Sequence, residues 1–117
     1  MVEDNIFLRK LYREKLTRAG FDFIEATNGV EGMNKVNSEN PDLVILDLVL
    51  PQKNGFDVLG EIRGGTKTKK IPVIILSNLS QELDVKEGLA LGAQEYLVKT
   101  DIRLAEVVNK VKKWAPK

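Results

Sequence analysis

The chain reads as an α/β domain of three layers, a parallel sheet held between helices on both faces. Two observations predict this class. The runs 43–46 and 73–76 are apolar at every position, as expected of strands covered on both sides. The stretches separating the runs that end at Asp47, Ser77 and Lys99 carry helical periodicity and are too long for hairpins, which suits strand-helix-strand crossovers. An apolar stub at Val2 leads into the acidic pair Glu3-Asp4. In an open parallel sheet all these polar ends emerge at one carboxyl edge, where such folds place their sites.

The elements follow in order. After Asp4, residues Leu8, Leu11, Tyr12, Leu16 and Ala19 recur at three- and four-residue steps, which predicts an amphipathic helix stopped by Gly20. Residues 21–26 alternate loosely, Phe21 and Phe23 against Asp22 and Glu25, and read as a strand broken by Asn28-Gly29. A short helix is expected over about 30–37, ended before Pro41. The strand at 43–46 is followed by a loop from Pro51 to Gly55 and a helix over about 56–63, stopped by Gly64-Gly65. After the strand at 73–76, a helix over 81–91 has a thin apolar stripe and should be the least firmly packed. Residues 96–98 form the last strand. The stripe Leu104, Val107, Val108, Val111 and Trp114 predicts the final helix, with Thr100 or Asp101 expected as its cap. No repeat, linker or low-complexity segment divides the 117 residues, so one domain over 1–117 is expected.

Composition narrows the function. Eighteen Lys and Arg balance seventeen Asp and Glu, a net charge of +1 that lacks the basic excess of direct nucleic-acid binders. The absence of cysteine excludes disulfides and thiolate chemistry. The absence of histidine excludes His-dependent hydrolysis, His-ligated zinc and an internal phosphohistidine. No apolar run approaches a membrane span and no signal segment opens the chain, so a cytoplasmic protein with protein or small-ion partners is expected.

Each polar strand end has an ordinary explanation when taken alone. Asp47 could form a turn, Ser77 could cap a helix and Lys99 could be a solvated charge. Their convergence with Glu3 and Asp4 changes the reading, because clustered carboxylates raise one another's pKa unless a cation intervenes. Magnesium suits a few carboxylate oxygens, retained waters and a phosphate oxygen, and a lysine can balance phosphoryl charge. Gly60 and Gly65 have phosphate-loop spacing, but Thr66 replaces the required lysine and the stretch trails a helix. The Lys67, Lys69, Lys70 cluster reads as a solvated loop.

Taken together, Val2-Glu3-Asp4, the run into Asp47, Leu50-Pro51 with Gly55, Ser77 after its strand, and Tyr96-Leu97-Val98-Lys99 resemble the receiver domain of two-component response regulators. The resemblance covers essentially the whole chain and is closest to the single-domain, chemotaxis-regulator-like form. It implies a flavodoxin-like, doubly wound sheet of five parallel strands in the order 2-1-3-4-5. It also implies a phosphorelay switch that is not an enzyme acting on outside metabolites. Asp47 would accept a phosphoryl group from a histidine kinase or phosphotransfer protein. Asp4, Asp47 and the Val49 carbonyl would bind Mg2+ directly and Glu3 through water, while Ser77 and Lys99 would contact phosphoryl oxygens. Ser77 and Tyr96 would form the switch, reshaping the face over 81–114 for a downstream protein target. Dimerisation on phosphorylation is left open. Direct contact with nucleic acid or membrane is not implied.

Four departures qualify the resemblance. The first strand is reduced to Met1 and Val2, and the loss of about four buried apolar side chains would remove about 6 to 12 kcal/mol. A parent chain beginning a few residues earlier is therefore expected. Thr100 replaces a proline common after the family lysine, so a trans bond is expected before it. Asn78 stands where a small residue is usual and narrows access. Val49 and Leu79 are apolar beside the site, which predicts slow self-dephosphorylation. Two rivals remain open: a receiver-like interaction module that takes no phosphate because Glu3 and Asp4 are misplaced, and a flavodoxin-like cofactor binder.

Overall fold

The computed structural model describes residues 1–116. In chain order the elements are α1 (Ile6–Arg18), α2 (Gly29–Glu39), β1 (Val44–Leu46), α3 (Gly55–Gly64), β2 (Val73–Ser77), α4 (Glu82–Ala90), β3 (Glu95–Val98) and α5 (Leu104–Trp114). The three strands pair in parallel in the order β1-β2-β3, with Leu46 opposite Ile75 and Leu76 opposite Leu97. Val2 adds single parallel bridges to both Leu46 and Ala26. Across the sheet the chain therefore runs Ala26, Val2, β1, β2, β3. This is the expected flavodoxin-like order, with its first two members shrunk to one bridge each.

The strand expected over 21–26 forms only at Ala26. A strand persists where its backbone groups find partners, and the three residues Met1, Val2 and Glu3 reach only as far as Ile24 and Ala26. The Met1 amino group donates to the Ile24 carbonyl at 2.8 Å, the Ala26 amide to Met1 at 3.0 Å, and the Glu3 amide to Ala26 at 3.0 Å.

Period-two alternation sorts the strand side chains into two cores. Val44, Leu46, Val73 and Ile75 face one way and pack with Val36 of α2 and with Val58, Leu59 and Ile62 of α3. Ile45, Ile74, Leu76 and Leu97 face the other way and pack with Tyr12 and Leu16 of α1 and Val107 and Val111 of α5. Every residue of β1 and β2 is buried, which is why neither run shows a polar face in sequence. Burying one such side chain contributes about 1.5 to 3 kcal/mol.

Side-chain oxygens of Asn5, Asn28 and Asn54 accept amides in the first turns of α1, α2 and α3. At the end of α1 the chain turns through Gly20 at φ +96°, a conformation glycine adopts without strain. Two expectations need correction. Neither Thr100 nor Asp101 caps α5; the helix begins after Arg103, whose amide donates to the Glu106 carboxylate at 3.1 Å. The buried stripe of α1 runs through Arg9, Tyr12 and Leu16, while Leu11 is exposed; Arg9 is held inside by its ion pair with Glu25. α4 is thinly packed as expected: only Gly88 is buried and Leu83 is 77 % exposed. Among the described residues no peptide bond is cis and no helix is long and apolar enough to cross a membrane.

Candidate functional site

β1, β2 and β3 end side by side, so the residues that follow or close them meet at one edge. Asp47 leaves β1 with its backbone amide bonded to Val2 at 3.0 Å, which ties it to the strand stub carrying Glu3 and Asp4. The Lys99 amide donates to the Ser77 carbonyl at 2.9 Å, which holds the ends of β3 and β2 together. Behind Asp47 the loop closes through the Gly55 amide on the Leu48 carbonyl at 2.9 Å. A Cβ at Gly55 would lie 2.2 Å from the Asp47 carbonyl, so only glycine permits this close approach.

The Lys99 ammonium is the centre of the cluster. Its Nζ lies 2.8 Å from Asp47 Oδ2 and 2.6 Å from Glu3 Oε1. Asp47 Oδ1 accepts the Val49 amide at 3.2 Å, and Glu3 Oε2 accepts the Asn5 amide at 3.1 Å. Glu3 is 1 % exposed and Asp47 5 %, whereas Asp4 is solvent-exposed. Burial pushes the Glu3 carboxyl above its ordinary range; Lys99 and the Asn5 amide oppose the rise and the Asp47 charge adds to it. Burial works against the Lys99 ammonium, but the two carboxylates outweigh it and its pKa ends above the ordinary lysine value.

One oxygen from each of Glu3, Asp4 and Asp47 lies within 4.8 Å of the others. Glu3 Oε1 is sealed from water, and the Lys99 ammonium at 2.6 Å meets its charge. Three carboxylates clustered this closely are a donor set that fits a hard divalent cation. The three groups border an open cavity of about 400 Å³ shared with Asn5, Val49, Asn78 and Lys99, which leaves room for waters or a phosphoryl group.

Glu3, Asp4, Asp47, Val49 and Lys99 are thus brought together, and the Asp47 carboxylate lies far inside the 10 Å that an electrostatic site requires. Ser77 is close in the fold but does not line the cavity: it is fully buried, and its Oγ accepts the Leu79 amide at 3.3 Å. Asn78 borders the cavity in its place. Leu79 packs on the core instead of beside the acids, so of the two apolar flanking residues only Val49 borders them. The Tyr96 hydroxyl donates to the Leu79 carbonyl at 2.6 Å, and burial raises its pKa to about 12.

Two residues escaped sequence reasoning. Asn5 both caps α1 and holds Glu3, and its position straight after the acid pair was the available signal. Arg9 is buried, with Nη1 on the Glu3 carbonyl at 2.8 Å and Nε on Glu25 at 3.1 Å; Arg13 pairs with the same Glu25 carboxylate. An arginine inside a buried stripe gives no hydrophobic signal, so only its contacts reveal it.

The parallel sheet carries three acids and a lysine together at its carboxyl edge. Residues 1–112 match the response regulator receiver domain, and the chain belongs to that family. It is 35 % identical over 116 residues to the chemotaxis protein CheY of Thermotoga maritima, covering 97 % of this chain and 95 % of that protein. It is 34 % identical to the probable transcriptional regulator ycf27 of Porphyridium aerugineum over 97 % of this chain but 48 % of that protein. The chain therefore spans half or less of the length of several relatives it matches. Among solved structures, the receiver domain of the Francisella response regulator 1452 superposes with a TM-score of 0.88 at 27 % identity, covering 97 % of this chain and 91 % of that one. The Mn2+-bound response regulator Rcp1 superposes with a TM-score of 0.80 at 32 % identity, covering 96 % and 86 %. The chain is a receiver domain of two-component signalling.

Proposed function

We propose that this receiver domain is a phosphoacceptor switch in which Asp47 takes a phosphoryl group from a phosphohistidine of a histidine kinase or phosphotransfer protein. The observation that carries the reading is the Asp47 carboxylate gripped by Lys99 at 2.8 Å within 4.8 Å of Glu3 and Asp4 oxygens. A carboxylate oxygen of Asp47 attacks phosphorus, the P–N bond breaks, and the imidazole nitrogen keeps its electron pair and takes up a proton. Asp47 becomes an aspartyl phosphate. Such transfers need alignment and charge neutralisation more than covalent assistance.

The Val49 amide and Lys99 hold the two Asp47 oxygens, so the nucleophile meets phosphorus in one orientation. Lys99 then follows the charge onto the phosphoryl oxygens. Asp4, Asp47 and the Val49 carbonyl would hold Mg2+, with Glu3 acting through a water, and the cation would supply the remaining positive charge. Arg9 fixes the Glu3 carbonyl and keeps the acid pair in place. Ser77 contributes its hydroxyl only after releasing the Leu79 amide, and Tyr96, bonded to Leu79, transmits that release to the face over 81–114. A downstream protein reads that face.

The rival module that takes no phosphate required the short first segment to misplace Glu3 and Asp4. Val2 is instead bridged on both sides, which supports the phosphoacceptor reading. Incubation with a small-molecule phosphodonor and Mg2+ tests it. Intact mass should rise by one phosphoryl group, and Asp47→Asn or removal of Mg2+ should abolish the gain. An unmodified wild-type chain of native fold would reject the proposal.

A further inference from the structure

Asn78 stands on the wall of the acidic cavity, directly after Ser77, the last residue of β2. Successive side chains of an extended segment point to opposite sides, so the alternation that buries Ser77 sends its successor outward. Ser77 is fully buried with Oγ on the Leu79 amide, whereas Asn78 is solvent-exposed. Among the described residues no side-chain hydrogen bond engages the Asn78 carboxamide, although its neighbours on both sides along the chain are joined to each other.

The other cavity walls offer little to an anion. Glu3, Asp4 and Asp47 are carboxylates, which accept and do not donate. Asn5 is committed to the first turn of α1, where its Oδ1 accepts the Phe7 and Leu8 amides at 2.9 and 3.1 Å and fixes the direction of its carboxamide. The Val49 side chain is apolar. The Lys99 ammonium already faces Glu3 at 2.6 Å and Asp47 at 2.8 Å, which leaves one of its three protons. Asn78 is thus the neutral donor on this wall that is free to turn toward a ligand.

An aspartyl phosphate on Asp47 presents three terminal oxygens, all of them acceptors. The remaining Lys99 proton can meet one, and a cation held by the acids would face a second. The third needs a donor in a place where nearby carboxylates disfavour more negative charge. Ser77 cannot serve without first giving up the Leu79 amide.

Resting on the reading of Asp47 as the phosphoacceptor, we propose that the Asn78 carboxamide is a phosphoryl-binding group, its Nδ2 donating to a phosphoryl oxygen on Asp47 while Ser77 still holds Leu79. Capture of the phosphoryl group and the switch are then separate events. Asn78 secures the group, and the later release of Ser77 passes through Leu79 to Tyr96. The role is opposite in sign to a side chain that merely narrows the entrance: a gate hinders the ligand, and a donor retains it.

Trifluoroberyllate with excess Mg2+ serves as the phosphoryl analogue, and its affinity for the full chain is measured by calorimetric titration. Asn78→Ala should weaken binding by about tenfold, the lower end of the range for a hydrogen bond to a charged group. Asn78→Leu, close in size but without a donor, should weaken it at least as much. At saturating analogue, amide exchange in α4 should respond in Asn78→Ala as it does in the parent. Equal or tighter binding by Asn78→Ala would reduce the side chain to a gate and overturn the assignment. Loss of the α4 response at saturation would place Asn78 in the relay and equally overturn it. Either result leaves the phosphoacceptor reading standing, whereas a parent chain of native fold that binds no trifluoroberyllate would overturn both.

Discussion

The Tyr96 hydroxyl and the Leu79 carbonyl meet at 2.6 Å, and the Leu79 amide in turn bonds to the Ser77 hydroxyl at 3.3 Å. Leu79 thereby joins the end of β2 to the aromatic of β3, and the Tyr96 ring lies against Gly88, the only buried residue of α4. Tyr96→Phe removes the outer bond and should lower stability by about 1 kcal/mol. A phosphoryl analogue with Mg2+ should still bind, while α4 amide exchange should cease to respond to it. An undiminished α4 response in the variant would break this link of the switch.

Lys99→Met leaves Glu3 and Asp47 buried with no ammonium between them. Removing one partner of a buried ion pair costs about 3 to 5 kcal/mol, and partial exposure of Lys99 puts the loss toward the lower figure. Mg2+ should restore more stability to the variant than it adds to the parent, because the cation then replaces the missing charge without meeting Lys99. Melting curves with and without Mg2+ check this. Equal increments would mean that the acids do not share a cation. Since the Lys99 pKa is raised, its own contribution should persist below the ordinary 10.5 and be lost as pH climbs beyond it.

Burial lowers the Met1 amino group from 8.0 to about 5, with Glu25 opposing the shift. Between those values the unfolded chain binds more protons than the folded one, so stability should rise from pH 5 to pH 8 and be lost as pH falls through 5. The full shift corresponds to about 4 kcal/mol, and the open cavity beside the amine reduces it. Glu3, raised by burial, acts in the opposite sense as pH climbs above 4.5. Urea midpoints of the free and acetylated amino termini separate the two effects, since acetylation should remove the rise belonging to Met1.

A chain extended before Met1 by four apolar residues should continue the parallel pairing of Val2 with segment 21–26 on one side and β1 on the other. Side-chain burial alone is worth about 6 to 12 kcal/mol before the ordering cost is subtracted. A higher urea midpoint is expected, and equal midpoints would show that the short edge costs the fold nothing.

Val49 is 57 % exposed at the mouth of the acidic cavity, where it offers no polar atom beyond its backbone to orient water. Slow loss of the Asp47 phosphoryl group follows. Polar replacement at Val49 should shorten the phosphate lifetime, whereas the same change at Leu79, packed on the core, should chiefly lower stability. Lifetimes measured by intact mass would decide, and an unchanged lifetime at Val49 would refute the expectation.

The all-apolar runs into Asp47 and Ser77 made the sheet legible without coordinates, because a strand covered on both faces must be apolar at successive positions. The acids and Lys99 were legible for the same reason: strands of one direction bring their ends to one edge. The failures lie where a tertiary partner decides. Phe21 and Phe23 look like strand residues, yet 21–25 cannot pair along its length with the three residues Met1, Val2 and Glu3. Arg9 looks like a surface charge, yet it is buried against the Glu3 carbonyl and Glu25. Sequence alone thus determined the layer order and the identity of the acidic edge, since both follow from local patterning and strand direction. Only the tertiary structure decided that Ser77 is bonded to Leu79 away from the cavity and that Arg9 supports Glu3. Those facts depend on which distant groups come within bonding reach, and no local pattern carries that information.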